Sequence, residues 1–495
     1  MPLTPKAILE DLRNKNLDIN SSIQLLLSLI ENAENIDLRR ESLYILDKIC
    51  SNFNFKKDFI FKLFENLLIS DSDEKIRTIA AHALFNSFPK RIIKLFKWIL
   101  SYEKSIFVIL EILQLLGKLN DSKEILQQEL EKKLNEKYLY NLESIQYKND
   151  YNTEQIANIL INYFVLAHLS YKFGFLNYES KDGIVFKLNL SNIDNQGFRK
   201  IFDYIKPITY LKDLSELDLK FNQLCQIPDC ISNLSSLEKL DLSYNRLKRM
   251  PYSIGLLKNL KYLGLKSNRL ISIPKSVGNL INLQVLILRS NYLRSIPNTV
   301  GGLKSLKILD LHGNKIKNLP SNLYQLKNLE KLDLGRNQIS EIPLWLKDLP
   351  KLTYLSLSGN QLQILPEWLG DLQSLKKLAL FDNKIKKLPE SICFLNNLEQ
   401  LILKNSYLES IPNSIGNLKS LKLLNLSWNK LKKLPENIGD LKSLEFLNLW
   451  GNKLERLPDS ISNLKNLKEI NLNFTKISKI PESLEKISDF IKIKI

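Results

Sequence analysis

The chain is poor in the residues that most chemistry needs. Its 495 residues include four cysteines, three histidines and two methionines. The cysteines are Cys50, Cys225, Cys230 and Cys393, and the one near pair, Cys225 and Cys230, forms neither a metal-ligand spacing nor a disulfide framework. Sparse thiols, together with an opening segment MPLTPKAILEDLRNKN that lacks an apolar h-region, lead to the expectation of a reducing, cytoplasmic compartment. No apolar run reaches the ~20 residues a spanning helix requires. The run from Ile156 is interrupted by Asn158, Asn162 and His168, which reads as buried in protein, not lipid. Glycine is scarce too, at 16 residues, and no GxxxxGKS/T loop is present. Gly117-Lys118-Leu119-Asn120 lacks both the leading glycine and the hydroxyl residue that a phosphate cradle uses.

What the chain has is a period. Twelve prolines, from Pro228 to Pro481, stand 23 residues apart without a slip. Within one period, residues 237–259, apolar residues fall at Leu237, Leu240, Leu242 and Leu247, then at Met250, Ile254 and Leu257. Leu240 and Leu242 share a face only in a strand, where alternate residues do so. The later spacing is irregular or helical. One such unit cannot bury its own apolar side, but stacked copies cover one another, which predicts a solenoid. An asparagine recurs between the strand and the proline, from Asn222 to Asn452. Its amide offers donors and an acceptor to backbone groups that turn inward. Ser406 and Thr475 replace it in two repeats, which predicts local loosening there without a break.

The pattern LxxLxLxxNxLxxIPxxIxxL resembles the intracellular leucine-rich repeat, in its 23-residue Ras-group-related form. The resemblance covers about 300 residues, from Leu214 onward in twelve regular repeats. It implies an α/β leucine-rich repeat solenoid, a horseshoe with a parallel inner sheet. It also implies a non-catalytic scaffold that binds a protein partner, small GTPases being among the partners of such proteins. Extracellular members usually carry cysteine clusters at their ends, and this chain has none. Residues 184–213 read as an atypical first repeat, with Val185, Leu188 and Leu190 in the strand phase and a helix expected near 198–205. Phe490, Ile493 and Ile495 return to that phase as a short cap over 490–495, whose open edge offers a site for pairing with a second copy.

Residues 1–180 lack this repeat and read as an all-α domain. Helical spacing runs through Ile23–Ile30, Leu38–Ile49, Ile76–Phe88, Ile92–Leu100, Ile106–Leu119, Ile125–Leu139 and Ile156–Tyr171. Residues 38–49 and 76–87 look alike at an offset of 38, with Arg39 matching Arg77. This resembles HEAT or armadillo repeats; a plain helical bundle satisfies the same spacing.

Charge is divided unevenly. Residues 1–183 hold 24 Lys+Arg and 25 Asp+Glu, so the other 47 Lys+Arg and 28 Asp+Glu lie in the repeats. Such asymmetry suits either a solvated surface or an acidic partner, nucleic acid or an anionic membrane. Nucleic acid is the less expected of these. Of the histidines, His82 and His168 lie in apolar helical contexts. His312 has Asp310 beside it and Asp333 one repeat on, but its nearest serine, Ser358, is two strands away, about 9–10 Å and beyond hydrogen-bond reach. A zinc site needs about four ligands. Neither an enzyme, nor a metal site, nor a cofactor is expected. The exposed inner-strand positions are left to specify a partner. Large apolar residues gather there at Tyr354, Phe381, Leu423, Trp428, Phe446, Trp450 and Phe474, the expected contact site. A column of Lys220, Lys266 and Arg289 is a second, basic candidate for an acidic partner.

Overall fold

A computed structural model describes residues 4–53, 55, 57–135, 151–193, 201–485 and 491–494. Phe490, Ile495 and the first residues of the helix expected from Phe198 lie outside them. The chain divides into two compact units. One comprises Met1–Leu188 with Lys206–Asp213, the other Asn189–Ile205 with Leu214–Ile495.

The first unit is built from helices Pro5–Arg13, Ile19–Asn32, Ile36–Asn52, Asp58–Ser70, Glu74–Ser87, Ile93–Tyr102, Ile106–Gly117, Lys123–Asn135 and Thr153–Phe173. The Asn and Asp residues that separate them in sequence are their caps. Asp18, Asn35, Asp73 and Asn152 each accept backbone N–H bonds at a helix start, satisfying donors that no helical carbonyl reaches. Neighbouring helices pack as hairpins, and Ile36–Asn52, Glu74–Ser87, Ile106–Gly117 and Thr153–Phe173 stack in succession. The offset of 38 has a structural meaning. Arg39 donates to the Ile30 carbonyl and to Asp71, while Arg77 donates to the Asp71 carbonyl and to Glu103. Arg39 ties its helix to the end of the helix before it, Arg77 to the loop before it, and each reaches an acid beyond its own helix.

Two helices of the first unit have no counterpart in the sequence reading, Pro5–Arg13 and Asp58–Ser70. The second is apolar on most of its surface (DFIFKLFENLLIS), so periodicity gives it little contrast. Strand Asn177–Lys181 was also missed, whereas Ile184–Asn189 holds Val185 and Leu188, read in the strand phase. The two strands flank Asp182-Gly183, both left-handed at φ 49 and 76, the two-residue turn that twists with its strands.

The second unit repeats one design. Three-residue strands, from Glu216–Asp218 to Glu469–Asn471, lie parallel in chain order, each paired with the residues 23 positions on, as Leu240 with Leu263. Lys492–Lys494 adds the last strand, with Ile493 opposite Ile470. After each proline from Pro228 to Pro458 comes a short 3-10 segment, such as Tyr252–Leu256 behind Pro251 at φ −67, and after Pro481 a helical turn, Glu482–Glu485. Proline is at home there because no ladder bond is lost. Leu237, Leu240, Leu242, Leu247, Ile254 and Leu257 are all fully buried. Gly255 lets successive turns close up, since a Cβ there would meet the Ser276 carbonyl oxygen at 2.3 Å.

The asparagines form the expected ladder. Asn291 donates to the carbonyls of Leu265 and Leu288 at 2.9 and 3.0 Å and accepts from the Leu270 amide at 3.0 Å, joining adjacent turns. Ser406 makes fewer side-chain bonds, donating to the Leu380 carbonyl at 3.2 Å and more weakly to that of Lys404, while its amide donates to Asn429 at 3.1 Å. Its flanking residues, Asn405 and Tyr407, are both left-handed. The strand pairing on either side, Leu378–Leu401–Leu424, continues unbroken.

Candidate partner-binding face

The strand alternation sends the third and fifth residues of each repeat to the open sheet face. The seventh and eighth residues follow at its rim. The eighth, just before the ladder position, is left-handed in every regular repeat. It is glycine at 313, 359 and 451, a serine, arginine, aspartate or asparagine at 267, 290, 336, 382 and 405, and an aromatic at Phe221, Tyr244, Trp428 and Phe474, at φ 59, 58, 54 and 55. A bulky residue at positive φ is uncommon, because its Cβ crowds the following carbonyl at a cost of roughly 1–2 kcal/mol. Nothing in the 23-residue spacing reveals this conformation; only the three glycines, with Asp382 and Asn405, hint at it.

Two aromatic groups result. Near the start of the array, Phe221 stacks on Tyr244 at 4.4 Å and 11°, with the Lys266 ammonium 5.0 Å from the tyrosine ring. Near its end, Trp428 and Trp450 meet edge-on at 5.2 Å and Phe474 follows at 6.0 Å. The rings support each other yet remain open to solvent: Trp428 is 49%, Phe446 43% and Phe474 78% exposed. Trp428 lies against Gly451, where an added Cβ would sit 3.2 Å from its ring. Leu423 stands opposite Phe446 in the sheet register. Trp450 is half-buried, and its Nε1 and the neighbouring Asn473 Oδ1 are shielded from solvent without a hydrogen-bond partner among the described residues. Buried polar atoms normally have one. Tyr354 and Phe381 are half-buried in earlier repeats, Tyr354 beside the Lys377 ammonium at 5.6 Å.

Two members of the basic column, Lys220 and Arg289, are engaged by acids, while Lys266 lies over the Tyr244 ring. Lys220 lies 3.1 Å from Asp218 and 3.9 Å from Asp241, and the bond to Asp218 raises its pKa. Arg289 lies 3.7 Å from Asp310 and 3.5 Å from Asp333. His312 Nδ1 is 3.4 Å from Asp333. Burial and the nearby Asp333 charge push the Asp310 carboxyl up. Burial also works against the Asp333 carboxylate, but His312, the Gly335 amide and Ser356 outweigh it and hold that pKa down. The arrangement is a compact charge network. Among the described residues no group of three or more His, Cys, Asp or Glu is placed to hold a metal ion. No described helix is long and apolar enough to cross a membrane.

A family model described as a leucine-rich repeat region matches residues 254–344, 345–427 and 413–494, and one described as a leucine rich repeat matches 206–247. No curated protein gives a match. Among solved structures, a leucine-rich repeat protein of Leptospira interrogans is 33% identical, with 62% of this chain and 95% of that one covered and a TM-score of 0.47. The ectodomain of the Arabidopsis thaliana receptor kinase GASSHO1/SCHENGEN3, solved in complex with CASPARIAN STRIP INTEGRITY FACTOR 2, is 29% identical. There 58% of this chain and 48% of that one are covered, with a TM-score of 0.32. The functional domain of InlJ from Listeria monocytogenes is 21% identical, covering 58% and 67%, with a TM-score of 0.42.

Proposed function

Because this chain belongs to the leucine-rich repeat proteins, we propose that it is a non-catalytic scaffold whose open sheet face binds a protein partner. The contact centres on Leu423, Trp428, Phe446, Trp450 and Phe474, with Tyr354 and Phe381 extending it toward earlier repeats. One observation carries this reading. Trp428 and Phe474 are held at positive φ with 49% and 78% of their surface in solvent. Neither the backbone nor the core gains from an aromatic ring there, whereas exposed aromatic clusters serve interfaces.

The test is capture of partners by the wild type beside the Trp428→Ala/Trp450→Ala double variant. A partner retained by the first and lost by the second, with the thermal transition nearly unchanged, supports the site. A collapse of stability in the double variant would make the rings core and sink it. The Ras-group-related resemblance makes a small GTPase the first partner to assay directly. We also infer a cytoplasmic setting. All four cysteines are free, and burial pushes the Cys50 and Cys393 thiols up to about 12 and about 11, which leaves them unreactive.

A further inference from the structure

A second surface lies outside the sheet face. In each repeat the tenth, twelfth and thirteenth residues occupy the bend between the ladder position and the proline. They form one lateral edge of the array. Over the twelve regular repeats these positions hold 17 Lys+Arg and only 3 Asp+Glu, namely Glu341, Glu409 and Glu455. Residues 184–495 carry 47 Lys+Arg and 28 Asp+Glu, a surplus of 19, and this edge alone supplies 14 of it. The densest stretch contains Lys384, Lys386, Lys387, Lys430, Lys432 and Lys433, all exposed.

These cations differ from the lysines at the start of the strands. There Lys239 pairs with Glu216 at 3.1 Å, Lys261 with Glu238 at 2.8 Å and Lys422 with Glu399 at 3.0 Å, each across neighbouring repeats. On the bend edge the one ion pair among the described residues is Lys476–Glu455, at 3.8 Å. A surface lysine kept for solubility does not require the removal of its acids. A row stripped of acids repels itself unless something anionic meets it.

Apolar side chains stand in the same row. Ile271 is 65%, Ile364 79%, Tyr292 48% and Tyr407 48% exposed. The two tyrosine rings each have a lysine near them, Lys315 at 5.2 Å and Lys430 at 4.9 Å. With strands ~4.8 Å apart, the row runs roughly 50 Å along the array. It is an edge without walls, so it suits a flat surface better than a strand that must be held in a groove. Cations and exposed aliphatic groups together are what an anionic leaflet engages, through headgroup charge and shallow apolar insertion.

We propose that this edge docks the protein on an anionic lipid surface, independently of the aromatic site. The full chain is tested by co-sedimentation with vesicles of phosphatidylcholine alone and of phosphatidylcholine with phosphatidylglycerol. Binding is expected only to the anionic vesicles, falling as salt is raised. The variant Lys386→Gln/Lys387→Gln/Lys432→Gln/Lys433→Gln is expected to lose at least about tenfold in partitioning. An equal charge change on the opposite edge, Lys258→Gln/Lys304→Gln/Lys419→Gln/Lys442→Gln, should lose less than about threefold. Ile364→Ser should weaken binding without changing its salt dependence. Circular dichroism on each variant checks that the fold persists. Absence of vesicle binding overturns the proposal. So does an equal loss in both lysine variants, which would show net charge acting without a site. Edge-dependent binding to single-stranded DNA in place of vesicles would assign the edge to nucleic acid. If Trp428→Ala/Trp450→Ala abolishes vesicle binding, the membrane contact lies on the sheet face, and this proposal fails while the protein-binding reading is tested separately by capture.

Discussion

A single residue position, the one before the ladder asparagine, shows most clearly what this scaffold tolerates for function. At Trp428 the backbone is left-handed at φ 54, a state that glycine adopts without steric cost. Trp428→Gly is therefore expected to leave the melting temperature unchanged or slightly raised, while partner affinity falls by at least about tenfold, as for an interface anchor. Paired calorimetry and binding titrations check this, and a lower melting temperature would mean the ring is structural. The ladder asparagines behave oppositely. Asn337 donates to Leu311 and Leu334 and accepts from Ile316, all buried. Removing an amide strands several backbone groups, so Asn337→Ala should cost roughly 2–4 kcal/mol in denaturant unfolding. Ser406 keeps only part of this bonding and rearranges its turn, so Ser406→Ala should cost less than Asn337→Ala.

The helices of the first unit depend on their caps and on cross-hairpin ion pairs. Asp73 does both jobs. It accepts from the Ile76 amide at 2.9 Å and pairs with Arg40. The Arg40 hydrogen bond is the main cause that holds its carboxyl below the usual 3.8. A folded pKa below the unfolded one adds stability above the unfolded value, and that stability is lost as pH falls through the folded value. Wild-type stability should thus fall more steeply below about pH 4 than that of Asp73→Asn. Asparagine is still a good cap, so Asp73→Asn should lose the ion pair alone, and Asp73→Ala about 1 kcal/mol more. Thermal melts at pH 7 and across the acid range give both comparisons. At this scale the sequence was readable where amphipathic contrast existed, as in Leu38–Ile49, and silent where it did not, as in Asp58–Ser70. The hairpin around Asp182-Gly183 carried a legible turn signal that the strong helical and 23-residue periods overshadowed.

At the scale of the whole molecule, the repeat unit is quasi-one-dimensional, and each turn contacts mainly its neighbours. Deleting one full period, residues 283–305, should leave a folded, cooperatively melting protein, because Leu260 and Leu306 turns can restack in register. Deleting half of it, residues 283–293, should abolish cooperative unfolding, because the strand phase is lost. The sequence by itself determined the period, the buried leucines, the ladder and the all-α region before it, because each depends on local spacing or on identical neighbours stacking. It also placed the aromatic residues on the open face. Only the tertiary structure decided which charges were free. Lys220 and Arg289 looked available, but acids of the same or the next two turns engage them, while the bend-edge lysines, equally ordinary in sequence, have almost no acid within reach. It likewise decided that aromatic rings would rest on left-handed backbone. The physical reason is one of distance: spacing along the chain fixes what repeats, but charge pairing and backbone strain depend on groups brought within a few ångströms across separate turns.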